Sequence, residues 1–129
     1  MPLVKINLIE GRTVEEKHKI ADMVHTALIS AFKIPEDDKN IRIFEFNKND
    51  FILPSNKSVK FILIEISIFT GRSIDAKRKF YKSIVENLKS IGISENDILV
   101  LLNEQNLDNW GVRGGYPASE VNLGFDIKV

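Results

Sequence analysis

The chain contains no cysteine. That one absence excludes disulfides, thiol nucleophiles, iron–sulfur clusters and cysteine zinc sites together. It also lacks an excess of either charge, because 18 Lys and Arg balance 18 Asp and Glu. Nucleic-acid binding normally shows as a basic surplus, so no nucleic-acid partner is expected. Apolar runs are short, and none approaches the ~20 residues of a membrane-spanning helix. The opening stretch, MPLVKINLIEGR, has no basic segment leading into a long apolar core. It does not read as a secretory signal, and the cytoplasm is the expected compartment. There is no P-loop and no Gly-x-Gly-x-x-Gly. His18 and His25 are seven residues apart rather than the four of a helical metal pair, and are expected to be surface histidines. Neither a metal nor a cofactor is expected.

What is present is the balance of a soluble globular domain, 43% hydrophobic and 28% charged over 129 residues. That length suits one domain, which can bury about two-thirds of its extended surface. The chain repeats itself. Residues 4–17 read VKINLIEGRTVEEK and residues 64–77 read IEISIFTGRSIDAK, sixty positions later. With one deletion the likeness continues, IPEDD at 34–38 answering ISEND at 93–97. The halves run over about 2–58 and 60–118 of a single domain, 1–129.

Each half opens on alternating apolar residues, Val4, Ile6 and Leu8 in one and Ile62, Ile64, Ile66 and Ile68 in the other, which is the period of a strand. Gly-Arg follows, then a helix start: Thr13 with Glu16 has the capping-box pattern, and Ser73 caps the second copy. Ile20, Val24, Ala27, Leu28 and Ala31, and then Phe80, Ile84, Leu88 and Ile91, recur at helical spacing. Pro35 and Gly92 stand where the helices should end. Second strands are expected near Arg42–Phe46 and Ile98–Asn103. The class is therefore α+β. A duplicated right-handed βαβ unit forms a four-stranded mixed sheet with both helices on one face. The other face is left bare, with Leu3, Leu63 and Phe69 among its apolar residues, so self-association is expected. Alternation from Val121 to Val129 predicts a further strand within 119–129, free to pair with a neighbouring subunit.

Few residues stand out for chemistry. Glu36, Asp37 and Asp38 form an acidic turn. Arg12 and Arg72 occupy equivalent strand ends, where α/β units often bind ligands. Trp110 is the lone tryptophan. Pro2 changes the weight of these. Met-Pro is a sequence from which Met1 is expected to be removed, and the first strand starts there. A free Pro2 is then a secondary amine anchored in a sheet. An α-amino group titrates at ~7.7–8.0, and burial beside a cation lowers that.

With these features, Pro2 followed by the duplicated βαβ unit, the chain resembles the tautomerase superfamily over its whole length. LIEGRT at 8–13, AFKIPEDD at 31–38, GRSIDAKRKFY at 71–81 and Asp108-Asn109-Trp110 are most similar to the malonate semialdehyde decarboxylase-like branch. The resemblance implies a homotrimer with a pocket around each amino-terminal proline. It implies that Pro2 is the general acid or base and that Asp38 polarises water or the proline. Of that branch's two arginines, the second falls on Arg72 and the first on Thr70, which cannot be charged. Its pocket tryptophan falls on Trp110 and a nearby aromatic on Val112. Arg113 is the candidate for the missing second cation. The implied activity is tautomerisation of small 2-oxo or enol carboxylic acids without a cofactor. The alternatives are a malonate semialdehyde decarboxylase- or hydratase-like lyase, and a non-catalytic binding or signalling protein of the same fold.

Overall fold

A computed structural model describes residues 2–129. The fate of Met1 lies outside the described residues. Strand β1 (Leu3–Ile9) leads into helix α1 (Val14–Phe32) and strand β2 (Ile41–Phe46); β3 (Ile62–Phe69) leads into α2 (Ile74–Lys89) and β4 (Ile98–Gln105). The sheet order is β2-β1-β3-β4. Within each half the strands are parallel, Val4 beside Ile41 and Ile62 beside Ile98. The halves join along an antiparallel seam, Leu3 opposite Ser67 and Leu8 opposite Ile62. A short hairpin, β5 (Gly111–Val112) and β6 (Tyr116–Pro117), follows β4.

Strand alternation decides which face the helices cover. Val4, Ile6 and Leu8, with Ile62, Ile64 and Ile66, are at most 1% exposed. They pack beneath Ile20, Val24 and Leu28 of α1 and Phe80, Ile84 and Leu88 of α2. Phe32 and Phe80 bring the two helices together, with ring centroids 4.9 Å apart. Each such buried side chain contributes roughly 1.5–3 kcal/mol through removal from water. Both predicted caps form. The Thr13 hydroxyl accepts from the Glu16 N–H while the Thr13 N–H donates to the Glu16 carboxylate, and the Ser73 hydroxyl accepts from the Ala76 N–H. Lys33 ends α1 in the left-handed region at φ 56°, donating to the Ile29 carbonyl, and Pro35 prevents the helix from resuming.

Three expectations are corrected. Phe69 does lie on the helix-free face, but it is only 1% exposed, because Trp110 folds back over it with its ring edge-on at 4.8 Å. The apolar residues left open there are Phe44, Leu99 and Leu101. The segment 119–129 forms no strand within the chain: a helical turn covers Ala118–Glu120 and the rest runs irregularly. Its polar groups bond singly, the Gly124 and Lys128 N–H groups to the Asn122 and Asp126 side chains and the Val129 carbonyl to the Ser73 N–H. Phe125 and Val129 still pack against the core, so the alternation records burial without a ladder. His25 is buried rather than on the surface, its Nε2 2.7 Å from the Glu36 carbonyl oxygen. His18 is exposed as expected.

Candidate active site

The two sheet registers fix the surroundings of Pro2. Leu3 pairs with Ser67, so one further step sets Pro2 level with Ile68, at the C-terminal end of β3. The parallel register on the other side pairs Val4 with Ile41, and the Val4 N–H donates to the Asn40 carbonyl at 3.0 Å. Pro2, which is buried, thus begins its strand beside the turn carrying Asp38. That turn is closed by the Asp38 N–H donating to the Pro35 carbonyl, and the His25 ring holds the intervening Glu36 carbonyl.

At this end of the sheet a cleft of about 460 Å³ opens. Pro35, Asp38 and Phe69 form one side, Gly111, Val112 and Arg113 another, and Leu123 and Phe125 of the tail a third. Asp38 and Arg113, distant in sequence, therefore share one cavity whose remaining wall is apolar. Arg113 sits at the tip of the β5–β6 hairpin with φ 48°, a left-handed conformation that costs an L side chain about 1 kcal/mol or more. Gly114 and Gly115 continue the turn at φ 84° and 107°, and the Gly115 N–H donates to the Val112 carbonyl.

Arg72 stands just behind this cleft. It is 7% exposed, its guanidinium lies 5.4 Å from the Phe32 ring centroid, and Nη1 donates to the Phe69 carbonyl at 3.1 Å. Its Nε is fully buried and has no hydrogen-bond partner among the described residues. Burial draws the Arg72 pKa below the ordinary arginine value, and the field of Glu104 opposes that. The Glu104 carboxylate itself is bonded to Lys77. The tail closes over this corner: a Cβ on Gly71, at φ 145°, would meet the Ile127 carbonyl oxygen at 3.3 Å. Trp110 lines no part of the cleft directly. It braces Phe69 from behind, with its indole Nε1 donating to the Gln105 carbonyl at 3.4 Å. Thr70 is exposed, its N–H pairs with the Gln105 carbonyl, and it does not line the cleft.

The structure thus gathers Asp38 and Arg113 at the cleft, bonds Arg72 to its wall residue Phe69, and brings Pro2 to the same end of the sheet, while Pro2, Arg72 and Thr70 do not line the cleft. The sequence reading missed Phe69 as a wall, Phe32 as the ring under Arg72, and Leu123 and Phe125 as the closing side. Only the last pair left a signal, the apolar alternation of the tail. Among the described residues no three His, Asp or Glu side chains converge as a metal site. No helix among them is long and apolar enough to cross a membrane.

A carboxylate and a cation share one largely apolar cleft, and Pro2 leads into β1 at the same end of the sheet. Two models described as tautomerase enzyme match the chain, one over residues 38–113, more than half of it, and one over residues 2–58. The chain belongs to the tautomerase family. A probable tautomerase of Bacillus subtilis, YrdN, is 28% identical over 116 residues, covering 85% of this chain and 89% of its own. Among solved structures, malonate semialdehyde decarboxylase, studied for its decarboxylase and hydratase activities, superposes with a TM-score of 0.80 at 28% identity, covering 87% of this chain and 92% of that one. A fused 4-OT symmetric trimer shares the fold, with a TM-score of 0.80 at 19% identity over 91% of this chain and 96% of that one. The protein is a tautomerase-like enzyme.

Proposed function

We propose that the protein interconverts keto and enol forms of small 2-oxo carboxylic acids, with Pro2 as the acid–base group once Met1 is removed. The register that sets Pro2, just before β1, at the end of the sheet where Asp38 and Arg113 share a cleft carries this reading. The substrate carboxylate pairs with a guanidinium, the group best shaped for two-point contact. Arg72 offers a buried, unpartnered Nε and Arg113 an open side chain on the cleft wall. In ketonisation the Pro2 nitrogen takes the enol O–H proton. The O–H electron pair becomes the C=O bond, and the former C=C pair moves to carbon and collects the proton from the prolinium. Phe69, Val112, Leu123 and Phe125 keep water away, which favours a neutral amine at neutral pH. Asp38 steadies the prolinium.

The test is ketonisation of 2-hydroxymuconate and phenylenolpyruvate by untagged protein, with intact mass establishing loss of Met1. Acid–base groups typically supply ~10²–10⁴-fold, so Pro2→Ala, which leaves a primary amine in place, lowers kcat by about 100-fold with a smaller change in KM. Equal activity with Met1 retained sinks the proline as base, since its nitrogen is then an amide.

A lyase reading is favoured by one observation, the 28% identity to malonate semialdehyde decarboxylase with Asp38 in the cleft to activate a water. Phenylenolpyruvate against malonate semialdehyde separates the two activities.

The working assembly is a homotrimer. Phe44, Leu99 and Leu101, each more than a third exposed, lie on the sheet face the helices leave open, and burying them needs partner subunits. Light scattering of dilute protein gives three times the 14.7 kDa chain mass. A folded monomer at micromolar concentration contradicts this.

A further inference from the structure

The duplication builds a second strand end of the same construction, and a second cleft of about 340 Å³ opens there. Arg12, Lys19 and Lys60 line it, together with the apolar side chains of Ile20, Ile91 and Ile93. Glu16 also borders it, but that carboxylate is engaged at the helix cap, accepting from the Thr13 N–H at 3.2 Å. Arg12 is anchored through Nη2, which donates to the Lys60 carbonyl at 2.8 Å. Arg12 and Lys60 also lie in the field of Glu16, which leaves one carboxylate against the three cations of the cleft. Three cations and one carboxylate therefore line a cavity with a local positive excess in a chain of zero net charge, and Ile20, Ile91 and Ile93 form its apolar part.

Correspondence between the halves says what this cavity lacks. Arg12 answers Arg72, Asp97 answers Asp38 and Ile91 answers Phe32, while Pro2 is answered by Ile62, a mid-chain residue with no amine and no exposure. Asp97 does not line the cleft; its carboxylate accepts from the Ser58 N–H and hydroxyl. The cleft retains a means of holding an anion but has no counterpart of the Pro2 amine with which to act on it.

We propose that this cleft is a second, non-catalytic site for a small organic carboxylate, whose charge pairs with Arg12, Lys19 and Lys60 and whose short apolar body rests on Ile20, Ile91 and Ile93. The inference does not depend on the chemistry assigned to Pro2. Crotonate is a suitable probe because it has a carboxylate and a short apolar chain but no keto or enol group to turn over.

The experiment is an NMR titration of the full-length protein with crotonate, following the Arg12 side-chain N–H and the Ile20, Ile91 and Ile93 methyls. Saturable shifts at all of them are expected. The Lys19→Gln/Lys60→Gln double variant, altered at two exposed positions, weakens the binding read at these signals about tenfold, and Arg12→Gln does the same. Arg72→Ala leaves this binding within about twofold of wild type, because the site lies at the other strand end. Two results overturn the proposal. One is the absence of saturable shifts at the isoleucine methyls. The other is binding that the lysine pair does not affect. Inorganic phosphate is the second arm: if it binds as tightly as crotonate without moving those methyls, the cleft selects charge alone and the carboxylate assignment is wrong. Loss of ketonisation in Pro2→Ala with crotonate binding intact separates the two readings.

Discussion

Arg12 and Arg72 follow glycines at φ 133° and 145° and precede caps of nearly identical backbone, Thr13 at φ −69°, ψ 162° and Ser73 at φ −72°, ψ 161°. Their surroundings nevertheless differ. Arg72 is packed over Phe32 beneath the tail, with an unpartnered Nε. Arg12 leans on the linker carbonyl of Lys60 at the edge of an open cleft. Burial lowers both pKa values, but Glu16 and Asp97 offset this at Arg12, where only Glu104 does at Arg72. Duplication copied the scaffold; what arrives from outside each unit distinguishes the ends. At one end those arrivals are the amino-terminal strand, the β5–β6 hairpin and the tail. At the other it is the linker before β3.

The largest expected effect tests that asymmetry directly. If Arg72 holds the substrate carboxylate in a desolvated place, losing it costs roughly 2–5 kcal/mol, so Arg72→Ala lowers kcat/KM for an enol acid at least about 30-fold. Arg12→Ala changes the same quantity by no more than about twofold. Equal losses from the two substitutions would mean the catalytic end has been misplaced. Thermal melts of both variants check that Arg72→Ala remains folded.

A smaller effect sharpens the choice of reaction. Thr70 is exposed at the end of β3, so an arginine there adds a cation at the rim without disturbing the core. Thr70→Arg raises the ratio of malonate semialdehyde decarboxylation to ketonisation by about threefold, the modest scale of a solvated charge. An unchanged ratio, with both rates intact, would show that a second cation at this position is irrelevant and leave Arg113 as the partner of Arg72.

The smallest effect lies at the non-catalytic end. Hydrogen bonds from Ser58 hold the Asp97 carboxyl below the usual aspartate value. A depressed pKa in the folded state adds stability that is present above the unfolded value of about 3.9 and is lost as pH falls through the folded value. Ser58→Ala therefore reduces stability at pH 7 by about 1 kcal/mol, and the gap narrows as pH falls through the folded value of Asp97. Urea unfolding at a series of pH values from 7 downward measures this. A constant gap would mean the hydroxyl contributes packing and no charge stabilisation.

Much of the fold was legible because its signals are local. Strand alternation in Val4–Leu8 and Ile62–Ile68, the Thr13–Glu16 cap and the glycines before Arg12 and Arg72 each depend on neighbours a few residues away. The errors are those of chain returning from a distance. Phe69 has the period of an open face, and nothing near it in sequence announces that Trp110 will cover it. His25 shares a helix face with His18, yet only His25 lies under the returning Pro35–Asp38 turn. The tail alternates as a strand does because alternate side chains are buried, while its hydrogen bonds go to single partners. Of the site, Pro2, Asp38, Arg72 and Trp110 stood out as residues and took their roles from the resemblance, and Arg113 was named to stand in for the arginine missing at Thr70. That Asp38 and Arg113 share a cleft while Arg72 is turned inward required the packing of Phe32 and the hairpin.

The antiparallel seam between β1 and β3 has a consequence for how the chain folds. Its partners are far apart in sequence, Leu3 meeting Ser67 and Leu8 meeting Ile62, whereas each βαβ half is assembled from closer segments. Loop closure makes such distant pairing slow, so the halves are expected to gain secondary structure before the seam zips. Each half alone would present the inner edge of a strand, β1 or β3, with its hydrogen-bonding groups open. Cut in the exposed linker near Ser58, the two fragments have that edge as their common template, and mixing them should restore the sheet by complementation rather than leave two independent domains.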